Sequence, residues 1–220
     1  MALDEALLER AAADPQAVPT LRFYSWERPA VTAGYFQDVP ELVRRLRCRE
    51  KSLEVIRRLT GGGMVFHGAD LTFSLILKLP SPYMPRDVKD SYLKINRALM
   101  MGLKKSCEGL DFADCRTVPS GRGKGENRVC FEKRSCYDLL WCGKKVVGAS
   151  QRRRDNALLH QSTVFLGGAP AEIEKNILEG FEKLWDVAFE RSAPTFVELE
   201  EARAVEMKRY RSPKWAFRIP

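Results

Sequence analysis

One stretch of the sequence combines two cations, three consecutive glycines and an imidazole. Three glycines in a row permit positive φ angles and let another group approach the main chain closely. Free backbone N–H groups beside arginines can hold an anion or a polarised carbonyl. No G-K-[ST] follows, so the stretch is not a nucleotide-binding P-loop, and a bend that only turns the chain is the structural alternative. The candidate binding residues are Arg57, Arg58, Thr60, Gly61, Gly62, Gly63 and His67.

A second stretch could carry nucleophilic chemistry. Cys130 follows a Gly-rich, basic segment over residues 119–129, a position that favours an accessible thiol. A nearby ammonium would favour the thiolate, the reactive form of cysteine. Lys145 lies fifteen residues later in a predicted strand, where spacing alone indicates no more than an exposed lysine. Small residues after Lys145 predict a backbone that lines something closely, and the candidates are Gly148, Ala149, Ser150 and Gln151.

The remaining residues with reactive side chains give weaker signals. His67 and His160 are the two histidines, and either could exchange a proton near neutral pH. Acid–base work depends on contact geometry, so a structural hydrogen-bond role is the simpler interpretation of each. No pair among the six cysteines has the C-x-x-C spacing of a zinc or redox motif. We expect reduced and mostly buried thiols, and no metal site.

Length and composition predict a single catalytic-size domain over residues 1–220. No apolar run is long enough to span a bilayer, and the acidic N-terminus does not resemble a secretory signal, which predicts a cytoplasmic protein. The net charge of +8 would attract acidic partners, such as nucleic acid or an acidic carrier protein. Because the basic residues are spread along the chain, a solvated surface without a specific ligand is equally compatible.

Helical and strand patterns alternate along the chain. Apolar residues at helical spacing predict helices over residues 1–13, 39–50, 87–106, 170–184 and 195–210. Alternating or β-rich runs predict strands over residues 21–26, 30–35, 54–58, 71–79, 112–118, 137–141, 144–149 and 158–166. We expect the last three strands to form one small antiparallel sheet, with Cys142-Gly143 as a hairpin turn.

The glycine stretch resembles the signature of the lipoate–protein ligase and octanoyltransferase family. The resemblance is carried by Arg57-Arg58-x-Thr60-Gly61-Gly62-Gly63-x-Val65-x-His67, then Leu71-Thr72-Phe73-Ser74, and by Lys145-Val146-Val147-Gly148-Ala149-Ser150-Gln151. Similar segments are Met1 to Leu8, Arg22-Phe23-Tyr24-x-Trp26, Gly34-Tyr35-Phe36-Gln37 and Lys208 to Trp215, so the likeness covers nearly the whole chain. Cys130-Phe131 followed by Ser135-x-Tyr137-Asp138-Leu139 is similar to the branch of octanoyltransferases with a cysteine acyl intermediate.

The resemblance implies a mixed α/β (α+β) fold, with a largely antiparallel sheet flanked by helices, as in class II synthetase and biotin ligase catalytic domains. It implies that Cys130 is the acyl-thioester nucleophile and that Lys145 lowers its pKa. The octanoyl group would pass from octanoyl-acyl carrier protein to a lysine of an apo lipoyl domain, such as the glycine-cleavage H protein or a 2-oxoacid dehydrogenase subunit. We expect a monomer without cofactor, metal, nucleic acid or membrane.

Alternatives remain open within and outside the family. An ATP-dependent lipoate–protein ligase would use ATP and Mg²⁺, an amidotransferase would move the group between lipoyl domains, and a non-catalytic protein would only bind a carrier or nucleic acid. The resemblance also implies a strand before Met1, where this chain starts, and a Gln-His-Gly-Ser motif in place of His160-Gln161-Ser162-Thr163, which weakens any role for His160. We expect no accessory C-terminal domain, which favours transfer over ligation.

Overall fold

The computed structural model describes residues 1–48, 50–116, 131, 134–166 and 169–218. It confirms the predicted mixed α/β fold, with mainly antiparallel strands and helices packed outside them. Among the described residues, no helix has both the length and the apolar character to cross a membrane. The helices are α1 (Ala2–Ala13), α2 (Val39–Arg45), α3 (Val88–Leu103), α4 (Pro170–Trp185), α5 (Phe196–Val205) and α6 (Pro213–Ala216), with a π-helical turn over Glu206–Tyr210. The strands are β1 (Thr20–Tyr24), β2 (Ala30–Ala33), β3 (Glu54–Arg57), β4 (Val65–His67), β5 (Leu71–Lys78), β6 (Leu110–Phe112), β7 (Leu139–Trp141), β8 (Lys144–Lys145), β9 (Val147–Arg154) and β10 (Ala157–Val164).

The main sheet is antiparallel and has the strand order β1-β5-β10-β9. Its central strands, β5 and β10, are buried on both faces because both faces are covered. Leu75 and Leu77 of β5 belong to the large core under α3 and α4, whereas Ile76 points to the opposite side and packs with Leu8 of α1. This alternation explains why β5 is buried along nearly its whole length.

A second, three-stranded sheet carries the glycine stretch. In the order β3-β2-β4, β2 pairs in parallel with β3 and antiparallel with β4. Residues 58–64 connect β3 to β4, so the second sheet holds both ends of this connection. We call residues 58–64 the glycine loop. A small apolar core that includes Val31, Val39 and Leu42 packs α2 against this sheet.

The predicted small sheet is divided between two sheets in the structure. β7 and β8 form a hairpin beside β6, while β9 and β10 belong to the main sheet. The division falls at Val146, whose N–H bonds to the Leu139 carbonyl and whose own carbonyl accepts from the Phe165 N–H. The predicted turn is confirmed: Cys142 and Gly143 both have positive φ, 49° and 73°, as a type I′ hairpin requires.

Three further expectations differ from the structure. The helix predicted over 39–50 ends at Arg45, and Arg47 has a left-handed φ of 51°. The strand predicted over 112–118 does not continue beyond β6 as far as Arg116, because the Asp114 carboxylate accepts from the Arg116 backbone N–H at 2.9 Å and turns the chain; residues 117–118 lie outside the described residues. The thiols are not all reduced: Cys115 and Cys136, brought together by the pairing of β6 with β7, form a disulfide.

Two glycines allow α3 and α4 to pack closely. A Cβ atom added at Gly102 would lie 1.8 Å from the Asn176 carbonyl oxygen, and one at Gly180 would lie 2.1 Å from the Ala98 carbonyl oxygen. Both obstacles are helix backbone, which cannot move aside as a side chain can. Separation of the two helices would open the large core between them.

We therefore expect Gly102→Ala to lower the free energy of unfolding by about 3 kcal/mol, the upper end of the usual cost of overpacking. Urea denaturation followed by circular dichroism measures the loss. Gly68→Ala is the matched control, because an added Cβ at Gly68 has no heavy atom within 4 Å. Equal stability of the two variants would contradict this account of the packing.

Candidate active site

The glycine loop is pressed against the turn that follows β2. The Arg58 N–H bonds to the Ala33 carbonyl at 2.8 Å, and the Tyr35 N–H bonds to the Thr60 carbonyl at 2.9 Å. A Cβ atom at Gly34 would lie only 1.9 Å from the Gly62 carbonyl oxygen. Gly62 itself has a φ of 85°, a conformation that glycine adopts readily. Close backbone approach and positive φ are therefore both used, as the sequence predicted.

The Arg58 side chain stabilises the conformation of the glycine loop through hydrogen bonds to its carbonyls. Its Nη2 donates to the carbonyls of Gly61 at 2.9 Å and Gly63 at 2.8 Å. Its Nη1 donates to the Thr32 carbonyl at 2.9 Å and to the Thr32 hydroxyl at 2.7 Å. All four N–H bonds of the two terminal nitrogens thus have acceptors within the protein. The guanidinium lines the cleft described below, and it also supports the loop.

Arg57 points away from that cleft. Its side chain is buried and donates to the carbonyls of Tyr35 and Gln37, both at 2.8 Å. It also donates to the carbonyls of Trp215, at 3.0 Å, and of Arg218. Arg57 therefore ties the C-terminal segment to the turn after β2.

A chain of buried hydrogen bonds joins the glycine loop to the main sheet. The Ser150 hydroxyl donates to Thr60 Oγ1, and the Thr60 hydroxyl donates to Gln161 Oε1, each at 2.8 Å. Gln161 Nε2 then donates to the Asp4 carboxylate of α1 at 2.7 Å. Thr60 and Ser150 were both predicted site residues, and here they fix the loop to β9 and β10.

Asp4 is the acceptor at the end of this chain, and sequence reasoning did not identify it. Besides Gln161, the Asp4 carboxylate accepts from Arg22 at 2.6 Å and from the Ser74 hydroxyl at 2.8 Å. Burial acts to raise the pKa of Asp4, but the Met1 amine, Arg22 and these hydrogen bonds outweigh burial and lower it. Asp4 is therefore a buried carboxylate, with its charge compensated from several elements.

His67 belongs to a second buried chain. Its Nδ1 lies 2.8 Å from Asp70 Oδ2, and its Nε2 lies 2.8 Å from the Thr32 hydroxyl. Trp26 stacks on the imidazole with 4.1 Å between ring centroids. Because the Asp70 carboxylate can only accept, Nδ1 of the neutral ring carries the proton, and Nε2 then accepts from the Thr32 hydroxyl. Burial lowers the pKa of His67, and Asp70 opposes that shift without cancelling it.

These chains surround a narrow cleft between the main sheet and the β3-β2-β4 sheet. The lining includes five of the predicted residues: Arg58, His67, Gly148, Ala149 and Ser150. The three small residues of β9 form one wall of the cleft. The cleft encloses about 20 Å³, room for about one water molecule. Further lining residues that sequence reasoning missed are Met1, Tyr24, Thr32, Val65, Thr72, Gln161 and Thr163.

The other predicted residues lie outside that lining. Lys145 is on β8, with 6% of its side chain exposed, and its Nζ forms an ion pair with Asp138 at 2.7 Å. Gln151 bonds to Ser91 and to His160. Cys130, the predicted nucleophile, lies outside the described residues.

His160 is fully buried in the main sheet and holds no position on the cleft. Gln151 Nε2 donates to its Nδ1 at 3.1 Å, and its Nε2 lies 2.6 Å from the Ser162 hydroxyl. Burial lowers the pKa of His160 to about 3, so the ring is neutral at physiological pH. Its role is structural, which is the simpler interpretation that the sequence offered.

Solved structures of lipoate–protein ligases share this fold. A lipoate-protein ligase A bound with ATP superposes with a TM-score of 0.77 and 24% identity, over 100% of this chain and 93% of that chain. The bipartite lipoate protein ligase from Thermoplasma acidophilum gives a TM-score of 0.77 and 21% identity, over 100% of this chain and 91% of that chain. The structure therefore has the fold of a lipoate-ligase catalytic domain.

The sequence comparison identifies the family. The model of the lipoyl protein ligase A/B catalytic domain matches residues 1–197, and the chain belongs to that family. Octanoyltransferase LipM of Carboxydothermus hydrogenoformans is 32% identical, over 100% of this chain and 94% of the relative. Octanoyltransferase LipM of Bacillus cereus is 35% identical, over 79% of this chain but only 61% of the relative.

The burial of His160 predicts how stability depends on pH. The unfolded histidine gains a proton below about pH 6.5, whereas the folded one stays neutral down to about pH 3. Protons therefore favour the unfolded state in this window, and stability is lost as pH falls. We expect the stability advantage of the native protein over His160→Gln to shrink by about 1.4 kcal/mol per pH unit between pH 6 and 4.

Urea denaturation of both proteins across this pH range measures the difference. The carboxylates are the same in both proteins, so their contributions cancel in the comparison. A constant difference in the free energy of unfolding across the range would show that His160 is not held neutral by the fold.

Proposed function

We propose that this protein transfers an octanoyl group from octanoyl-acyl carrier protein to a lysine of an apo lipoyl domain. It acts as a monomer, through a thioester on Cys130. The observation that carries the proposal is the identity of 32% with an octanoyltransferase over the whole chain. The acceptor would be the glycine-cleavage H protein or a 2-oxoacid dehydrogenase subunit. The net charge of +8 supports an acidic carrier as donor.

The chemistry has two balanced steps. The Cys130 thiolate attacks the thioester carbonyl, the new C–S bond forms, and the carrier's thiol leaves. The neutral acceptor amine then attacks the acyl-cysteine, an amide forms, and the Cys130 sulfur leaves and takes up the amine proton. The Lys145 ammonium and backbone N–H groups near the glycine loop stabilise the developing oxyanion. Thioester exchange is nearly thermoneutral and amide formation is downhill, so the reaction uses neither ATP nor metal.

The cleft beside the glycine loop is the candidate site for the acyl chain. The Gly148, Ala149 and Ser150 wall and the buried Val65 offer close contact to a slender apolar group. Its present volume of about 20 Å³ is far smaller than an eight-carbon chain. Binding therefore requires lining side chains to move. Met1 is well placed to do so, since its side chain lines the cleft and accepts a weak hydrogen bond from Gln161 at 3.4 Å.

An ATP-dependent ligase is the alternative within the family. Such an enzyme would have to hold the triphosphate of ATP, commonly with arginine or lysine side chains. The terminal nitrogens of Arg58 donate to Thr32, Gly61 and Gly63, and those of Arg57 donate to backbone carbonyls. Both guanidinium groups thus donate to acceptors within the protein rather than to a triphosphate. This favours transfer from a carrier over an ATP-dependent reaction.

Intact mass after incubation with octanoyl-carrier protein, without ATP, tests the proposal. We expect native protein to gain one octanoyl group and Cys130→Ala to gain none, because the thioester forms on that sulfur. Cys142→Ala is the matched control, since Cys142 is a free and exposed cysteine and its removal should leave the mass gain intact. We expect Lys145→Ala to slow acylation by about tenfold or more, through loss of its charge.

Acylation that survives Cys130→Ala would overturn the cysteine mechanism. Octanoylation of a lipoyl domain that starts only when ATP and free octanoate are added would identify a ligase. Transfer from an octanoylated lipoyl domain but not from the carrier protein would identify an amidotransferase.

A further inference from the structure

We infer that Asp138 is a positioning residue, which holds the Lys145 ammonium at the place where the acyl-transfer reaction uses it. The inference rests on the proposed function, because Lys145 is the electrostatic partner of Cys130 there. Asp138 lies within a stretch that the family resemblance includes, Ser135-x-Tyr137-Asp138-Leu139, but neither the resemblance nor spacing or composition gave it a role.

One carboxylate oxygen of Asp138 joins two parts of the chain. Oδ2 lies 2.7 Å from Lys145 Nζ and accepts the Ser135 backbone N–H at 2.6 Å. The side chains of Asp138 and Lys145 are only 14% and 6% exposed. The pair is therefore sheltered from solvent, unlike the chain's exposed surface ion pairs, which typically contribute little.

The backbone around Asp138 is fixed on both sides. Tyr137 has a φ of 66°, which a bulky residue adopts only where its surroundings impose it. The Tyr137 carbonyl accepts from Nδ2 of Asn96, a buried residue of α3, at 2.8 Å. The Asp138 carbonyl accepts from the Ala113 N–H at 2.7 Å. Hydrogen bonds from Asn96 of α3 and from Ala113, just after β6, hold the backbone in the conformation in which the Asp138 carboxylate reaches Lys145.

The lysine needs such a partner more than an arginine would. A lysine carries a point charge on a flexible four-carbon stem, and its ammonium has no preferred direction of its own. The negative charge of Asp138 partly cancels the positive charge of Lys145. Asp138 therefore does not act by strengthening the electrostatic stabilisation of the thiolate. Its contribution is to reduce the number of positions that the ammonium can occupy, and Ser135 keeps Asp138 itself in place.

The reactivity of the Cys130 thiol reports this positioning without requiring acyl transfer. We would measure iodoacetamide alkylation of the Cys130 peptide by mass spectrometry from pH 6 to 10 in native protein, Asp138→Asn, Lys145→Met and the double variant. We expect Asp138→Asn to reduce alkylation at pH 7 by about tenfold and to move its midpoint to higher pH, because a displaced ammonium no longer favours the thiolate.

The double variant separates positioning from a general structural role. If Asp138 acts through Lys145, Asp138→Asn has no further effect in the Lys145→Met background. An equal loss in both backgrounds, or a midpoint that stays or moves to lower pH in Asp138→Asn, would overturn the inference. Asp155→Asn is the control for the removal of one carboxylate. Asp155 is exposed, and asparagine tolerates its left-handed backbone conformation.

Failure of this inference differs from failure of the proposed function. If native protein is acylated by octanoyl-carrier protein but Asp138→Asn leaves Cys130 reactivity unchanged, only the positioning role is lost. If native protein is never acylated, the proposed function is lost, whatever the alkylation profiles show.

Discussion

The buried hydrogen-bond chain from Ser150 through Thr60 and Gln161 to Asp4 is the constraint on which the site depends. A buried polar group without a partner is costly, so each member of the chain requires the next. The chain connects β9, the glycine loop, β10 and α1, and each of its hydrogen bonds joins residues at least 90 positions apart in sequence. The main sheet and α1 therefore stabilise the shape of the glycine loop through this chain.

This constraint explains why two adjacent arginines have different positions. Neighbouring residues of an extended strand point to opposite sides, so Arg57 faces the C-terminal segment while Arg58 faces the cleft. Both are satisfied mainly by carbonyl oxygens, Arg58 by those of the glycine loop and Thr32, Arg57 by those of the turn after β2 and the C-terminal segment. The cationic character of the motif thus stabilises loop geometry first, and only Arg58 also lines the cleft.

Local patterns predicted the glycine loop, the small-residue wall of β9 and most helices and strands, because their signals lie within a few residues. Thr32, Asp4 and Asp138 could not be identified in this way. Thr32 acts through Arg58 and His67, and Asp4 meets Gln161 across 157 residues. His67 and Asp70 are three residues apart, a local spacing that the sequence analysis did not use. The prediction of a strand directly after Phe112 was wrong for a different reason: the Asp114 side chain stabilises a turn that competes with β structure.

The state of the two histidines also restricts where protons can go during transfer. His160 is neutral and away from the cleft, and His67 has both nitrogens engaged by Asp70 and Thr32. Neither is therefore free to act as a general base toward an incoming amine. In the proposed reaction the leaving Cys130 sulfur itself takes up the proton of the attacking amine. A cysteine intermediate thus removes the need for a separate base, which a hydroxyl nucleophile in the same surroundings would have required.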